Sequence, residues 1–133
     1  MKYLLDTHTF LWAIFDAEKL GKQAFNILNN PRNQCFLSIA SIWELSIKVR
    51  LGKLEFHNFK LDEAKTYCKK LKVNLLPIDV KDAVMNSLLS LKPKHRDPFD
   101  RMLIATAIQN DWTLLSCDDK FEQYKTDGLK VLW

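Results

Sequence analysis

Residues 2–15 read KYLLDTHTFLWAIF, and this stretch divides into three parts. Lys2 to Leu5 is a short apolar run suited to a buried strand. Asp6 ends it, and Thr7 or Thr9 can cap a helix that carries Phe10, Leu11, Ile14 and Phe15. The unit is strand, acid, helix, and it recurs along the chain. A second helix is expected over about Lys22 to Leu28, closed by the turn residues Asn29, Asn30 and Pro31. Cys35 to Leu37 makes a short strand, after which Ser38 caps a strong helix, IASIWELSIKVRL, stopped by Gly52. From Asp62 to Leu71, Ala64, Tyr67, Cys68 and Leu71 recur at helical spacing. Val73 to Leu76 is a third strand, Pro77 breaks it, and Asp79 can cap a helix through Ala83, Val84 and Leu88. The segment KPKHRDP reads as a charged loop. Asp97 caps and Pro98 opens a helix with Phe99, Met102, Leu103, Ala105 and Ile108 on its apolar side. Thr113 to Ser116 is a fourth strand, a short helix follows near Phe121 and Tyr124, and Lys130 to Leu132 is a last strand.

Strands that are apolar throughout and alternate with helices imply a parallel sheet covered on both faces. The expectation is therefore an α/β fold, one domain over residues 1–133, with about five central strands and helices on both sides. With 133 residues, 47% hydrophobic and 27% charged, and few glycines and prolines, the chain can bury one core and shows no sign of disorder. Its first apolar run is broken by Asp6, His8 and Asp16, which makes a poor signal peptide and is too short to span a bilayer, so a cytoplasmic location is expected. Cys35, Cys68 and Cys117 are odd in number with no C-x-x-C pair, which disfavours a disulfide framework or a thiolate zinc site. His8, His57 and His95 lack the spacing of a zinc-binding helix. An excess of 20 basic over 16 acidic residues weakly favours a polyanionic partner.

In an open α/β sheet, functional groups gather in the crevice at the carboxyl ends of the strands. Asp6 and Asp118 follow strands one and four, and Glu44 and Asp100 fall in the first turns of helices after such loops. Four carboxylates from distant positions then converge. They repel one another unless a cation neutralises them, and Mg²⁺ or Mn²⁺ suits such oxygen donors. Each acid also has a purely structural reading. Asp6 could simply end a strand, and Glu44 could face solvent. Asp97 and Asp100 have capping-box spacing, and the adjacent Asp118 and Asp119 cannot both face inward, with Asp119 suited to cap the short helix. Asp97 and Asp119 are taken as caps, leaving Asp100 and Asp118 for the crevice. Asp79 is explained by capping alone.

MKYLLDTHTFLW, SIASIWELSIK, HRDPFDRMLIATA and LLSCDDKF resemble, in order and spacing, the four motifs of the PIN domain, and in particular those of VapC-type toxins of bacterial toxin–antitoxin pairs. The resemblance spans nearly the whole chain. It implies a Mg²⁺- or Mn²⁺-dependent endoribonuclease, a homodimer, and inhibition by a cognate antitoxin protein. Carried over by position, the metal-binding and catalytic acids are Asp6, Glu44, Asp100 and Asp118, with Ser116 supporting the site. The DPFDR form carries an extra acid, Asp97. Lys48, one turn after Glu44, and Arg101, beside Asp100, are candidate contacts to RNA phosphates. Phe10, Leu11, Trp12, Ile14 and Phe15 are apolar on more than one helical face, so part of this helix is expected to stay uncovered; the resemblance places the antitoxin there, through Trp12.

Competing readings are other strand-end Mg²⁺ enzymes, a catalytically inactive PIN-like module that binds RNA or protein, and a general RNA-processing nuclease without an antitoxin. Haloacid-dehalogenase-like chemistry needs D-x-D after the first strand, where this chain has Asp6, Thr7 and His8. A receiver-like domain needs paired acids there and a late-strand lysine, and neither is evident.

Overall fold

The computed structural model describes residues 1–90 and 95–133. Most of the lysine-rich part of the expected charged loop, residues 92–94, lies outside the described residues. Strand β1 (Lys2–Leu5) runs into helix α1 (Thr7–Phe15), followed by α2 (Lys22–Asn29), β2 (Gln34–Ser38) and α3 (Ile39–Arg50). Then come α4 (Ala64–Leu71), β3 (Val73–Leu76), α5 (Val80–Leu88), α6 (Pro98–Asn110), β4 (Thr113–Leu115), a 3₁₀ helix (Asp119–Asp127) and β5 (Lys130–Leu132). Among the described residues no helix is long and apolar enough to cross a membrane.

All four strand pairings are parallel, and the order across the sheet is β3-β2-β1-β4-β5. The chain therefore builds outward from β1 on one side, then crosses back and builds outward on the other. β1 and β4 are the neighbours at which this direction reverses, and such a switch point opens a crevice at the strands' carboxyl ends. The register pairs Leu5 with Leu115, which sets Asp6 beside Ser116. The Asp6 N–H donates to the Leu115 carbonyl at 3.1 Å.

Two cores cover the sheet. On one face Tyr3, Leu5, Phe10, Leu11, Cys35, Leu37, Leu45, Cys68 and Val73 pack together, so α1, α3 and α4 lie there. On the other, Leu4, Leu103, Ile104, Ala107, Leu114, Phe121 and Tyr124 join α6 and the 3₁₀ segment. Successive residues of β1 thus feed opposite cores, the period-two pattern of a strand buried on both faces.

Capping holds the helices where the crevice needs them, with differences from expectation. The cap of α1 is Asp6 itself, whose side chain accepts from the Thr7 N–H, so neither Thr7 nor Thr9 fills that role. Thr9 instead donates its hydroxyl to the Leu115 carbonyl at 2.7 Å. Ser38 caps α3 through the Ala40 N–H, and Gly52 follows the helix end at φ +65°, a left-handed conformation that glycine adopts without steric cost. Asp79 caps α5 in a reciprocal box with Asp82, and Asp97 caps α6 through the Phe99 and Asp100 N–H groups with Pro98 in first position. Asp118, not Asp119, caps the 3₁₀ segment through the Lys120 N–H. Val84 and Leu88 on α5 are exposed, and Met85 and Leu89 face the core.

Candidate active site

Asp6 is 7% exposed at the end of β1, and its two carboxylate oxygens are held by different elements. Oδ1 accepts from the Thr7 N–H at 2.7 Å, and Oδ2 accepts from the Ser116 hydroxyl at 2.8 Å. Ser116 in turn accepts from the Asp118 N–H at 3.1 Å, which ties the ends of β1 and β4 into one polar chain. The chain continues the other way through Thr7. Its hydroxyl lies 2.7 Å from Glu44 Oε1 and 2.9 Å from Ser41 Oγ. Glu44 sits in the second turn of α3, one turn deeper than expected, and is buried, although Trp43 and Ile47 beside it are exposed. Its other oxygen, Oε2, pairs with Lys48 Nζ at 3.1 Å, the i,i+4 partner.

Asp100 lies in the first turn of α6. Its Oδ2 is 2.8 Å from Nε2 of His95, a ring that is 3% exposed and packed edge-on against Phe121 and Tyr124. The Nε2–H tautomer serves the Asp100 carboxylate and leaves Nδ1 as a buried acceptor with no partner among the described residues. Burial pushes the Asp100 carboxyl up to about 7; Asp97 and Asp6 add to the shift and His95 opposes it. Burial likewise raises Asp6, with Glu44 adding to it, while Ser116, the Thr7 N–H and His8 act in the opposite direction. The Asp6 charge is therefore felt at Asp100, and that of Glu44 at Asp6.

Asp118 commits Oδ1 to its cap at 2.9 Å from the Lys120 N–H and stands at the more open end of the chain of contacts. Arg101 does not reach the acids. Its Nη1 lies 3.4 Å from both the Ser90 carbonyl and the Tyr124 hydroxyl, and it lines a cavity between α5 and α6. Trp12 is half-buried rather than uncovered, because Trp133 packs on it at 5.5 Å between ring centroids. Phe10 and Leu11 are fully buried, and Phe15 sits among Phe56, Phe59 and Tyr67, so α1 has no open apolar face.

Among the described residues, no three His, Cys, Asp or Glu side chains stand close enough together to hold a metal ion as a preformed cage. The donor set is nonetheless that of a hard cation: oxygen only, anionic, and raised in pKa by burial and mutual repulsion at Asp6 and Asp100. Mg²⁺ retains several waters and needs only one or two protein carboxylates, so the arrangement fits a partly hydrated ion better than a four-acid cage.

Three further residues stand at the site without a clear mark in the sequence. His95 was set aside because it has no helical partner; it lies before the helix, and only the fold brings its ring onto Asp100. Thr7 was read as a cap, and Ser41 carried no signal beyond its position one turn before Glu44.

The PIN domain family profile matches residues 3–127. Among solved structures, VapBC2 from Rickettsia felis, bound to a DNA fragment from its promoter, contains a chain similar at 18% identity and a TM-score of 0.69, covering 99% of this chain and 98% of that one. VapBC-1 from nontypeable Haemophilus influenzae matches at 18% identity and 0.64, covering 99% and 97%. DNA-bound VapBC from Salmonella typhimurium matches at 16% and 0.67, covering 99% and 97%. No curated protein matches the chain. At these identities the structures speak for the fold, and the family profile, which takes in nearly every residue from β1 through the 3₁₀ segment, shows that the chain belongs to the PIN domain family.

Proposed function

We propose that this protein is a divalent-metal-dependent endoribonuclease and the toxin of a toxin–antitoxin pair. The observation that carries the proposal is the pair Asp6 and Asp100 at the switch-point crevice, both raised in pKa by desolvation, with Asp6 adding to the shift of Asp100. Two buried, mutually repelling carboxyls are costly unless a cation and its substrate anion complete the site. Mg²⁺, or Mn²⁺ in its place, would be held by Asp6 and Asp100, with Glu44 and Asp118 as further acids. When bound, it supplies an activated water and offsets charge on the phosphodiester.

The chain's own residues orient and restrain. Ser116 and the Thr7 N–H fix both oxygens of Asp6, so its carboxylate cannot rotate away. Thr7 holds Glu44, and Lys48 balances its charge while leaving an ammonium near the entering phosphate. His95 keeps Asp100 aimed inward. Arg101, engaged behind α6, is not part of this proposal.

The antitoxin reading draws on structural relatives that include a toxin–antitoxin complex from Klebsiella pneumoniae and a member of the VapBC family of toxin–antitoxin systems from Mycobacterium tuberculosis. It is also supported by uncovered apolar surface. Ile39, Trp43, Ile47 and Leu51 form an i,i+4 stripe along α3, and Val80, Val84 and Leu88 form another on α5. Trp43 is 66% exposed and Leu88 71%. A homodimer and an antitoxin are the occupants we propose for these stripes, with the protein at work in the cytoplasm. Because Trp133 covers Trp12, an antitoxin reaching Trp12 has to displace or embrace that indole.

The test is cleavage of structured and single-stranded RNA with Mg²⁺, with EDTA, and with Asp6→Asn. Metal-dependent cutting lost in the variant is expected. Absence of cutting, with RNA or partner binding intact, overturns the enzyme reading in favour of a binding module. Copurification with the product of an adjacent short gene tests the partner, and Trp12→Glu and Trp43→Glu tell which surface it uses.

A further inference from the structure

The side of the crevice next to the acids is aromatic. His8, Trp12 and Trp133 form a ladder, with 5.5 Å between ring centroids at each step and interplanar angles of 50° and 59°. Both ends of the ladder return to the candidate active site. His8 is exposed on the first turn of α1, two residues after Asp6, and its charge acts on the Asp6 carboxyl. At the other end, Trp133 lines a cavity of about 210 Å³ together with Ser116, Asp118, Asp119, Glu122 and Leu132. Ser116 is the residue whose hydroxyl donates to Asp6, so acid, hydroxyl, cavity and aromatic rings form a closed circuit.

The indole is firmly seated. A Cβ at Gly21 would lie 2.6 Å from Trp133 Cδ1 and 2.6 Å from its carbonyl carbon, so glycine is required where the ring backs onto the chain before α2. One side of Trp133 is thereby packed against Gly21 and Trp12, and the residue also borders the cavity. The charged side chains lining that cavity are the acids Asp118, Asp119 and Glu122, the last of them paired with Lys125 beside it. Such a lining suits a neutral, planar, N–H-bearing heterocycle, since carboxylates accept hydrogen bonds from exocyclic amino groups and an indole offers a stacking surface.

Resting on the ribonuclease reading, we propose that the ladder and cavity hold unpaired bases of single-stranded RNA beside the scissile phosphate. Trp133 stacks the base that enters the cavity, and Asp119 and Glu122 accept from its amino group. Adenine, cytosine and guanine are therefore favoured over uracil at that position. Single-stranded RNA is commonly read in this manner, by splayed bases on aromatic platforms with hydrogen bonds at their edges.

The experiment uses the full chain carrying Asp100→Asn, so that nothing is cut, and end-labelled oligo(rA), oligo(rC) and oligo(rU) read by anisotropy. Without a further substitution, oligo(rA) and oligo(rC) should bind more tightly than oligo(rU). Trp133→Leu should weaken binding roughly 5- to 150-fold, the equivalent of ~1–3 kcal/mol for one stacked base, while Trp133→Phe retains most of it. The Phe and Leu variants differ in aromaticity more than in packing, so melting curves that match while affinities differ separate stacking from fold support. Asp119→Asn with Glu122→Gln should narrow the margin over oligo(rU). Equal binding by the Phe and Leu variants, or no preference against uracil, overturns the proposal while leaving the ribonuclease reading intact if wild type still cuts RNA. A wild-type chain that neither binds nor cuts RNA overturns both.

Discussion

On the β1–β4 side of the crevice, Asp6 is held by a hydroxyl from one strand end and an amide from α1, and the same polar chain passes through Thr7 to Glu44 and through Ser116 to Asp118. On the α6 side, Asp100 leans on the ring of His95, which itself has an unpaired nitrogen among the described residues. The first side is distributed over β1, α1, α3 and β4, so no single hydroxyl carries it. The second is concentrated in one ring wedged between Phe121 and Tyr124. A site built this way has one rigid half and one half whose geometry depends on a single positioning contact. Burial raises the carboxyl on both sides, to about 7 at Asp100 on the concentrated one.

The largest expected effect ignores this contrast because it removes the acids themselves. Asp6→Asn and Asp100→Asn should each lower metal-dependent RNA cleavage by more than the ~10- to 100-fold that losing an outer-shell partner costs. Both should keep the circular dichroism of the wild type, and Asn at position 6 can still cap α1. Near-full cleavage by either variant removes that acid from the site.

The contrast itself is broken or sharpened by His95→Ala against Ser116→Ala. Loss of His95 leaves Asp100 unsupported and opens space beside Phe121 and Tyr124, so cleavage should fall about 10- to 100-fold, with a stability loss of roughly 2–4 kcal/mol. Ser116→Ala should cost cleavage about 10-fold or less, since the Thr7 N–H still holds Asp6. Equal losses, compared by kcat and KM with melting temperatures alongside, would show that the two halves are supported alike.

A pH profile of the metal-free protein probes the same asymmetry. A carboxyl raised on folding binds its proton more tightly in the folded chain. Its contribution is therefore complete below the ordinary carboxylate value near 4 and is lost as pH climbs through about 7. Melting temperature should drop by about 5 °C between roughly pH 5 and 8, and Asp100→Asn should flatten that slope. Added Mg²⁺ should recover stability at the alkaline end, as any ligand of the folded state does. A slope unchanged in Asp100→Asn would locate the titrating group elsewhere.

The alternation of strand and helix, the caps at Ser38, Asp79 and Asp97, and the placement of Asp6 at a strand end were legible in the sequence because each rests on local chemistry: apolar period, short polar side chains before helices, proline at a first turn. The depth of Glu44 was misjudged by one turn, since its burial comes from α3 leaning over Thr7 and not from the helix's own pattern. The cover on Trp12 was invisible because Trp133 lies 121 positions away and reaches it through the β4–β5 edge and the chain at Gly21. His95 was hidden for a related reason: its partner, five residues on, is brought under the ring by the turn into α6 and by aromatic packing from the 3₁₀ segment. Which side of α5 packs was not legible either, because Val84 and Leu88 are apolar yet exposed, while Met85 and Leu89 face the core.

The smallest expected effect belongs to Asp79→Asn and serves as the control for the others. Asp79 follows a strand and precedes a helix, as Asp6 does, yet β3 is the edge strand of the sheet and lies two places from β1. Its carboxylate accepts from the Lys81 N–H at 2.9 Å, and the reciprocal bond runs from the Asp79 N–H to Asp82 at 2.8 Å. Asparagine presents the same accepting oxygen and ranks with aspartate as a cap, so cleavage should stay within about twofold and stability within about 0.5 kcal/mol of wild type. Charge neutralisation at a strand end would then be harmless at the edge and disabling at the switch point, which is what a site located by topology rather than by residue type requires. A large loss of cleavage in Asp79→Asn with an unchanged melt would mean that acids at the edge strand take part, and the crevice would have to be redrawn to include the start of α5.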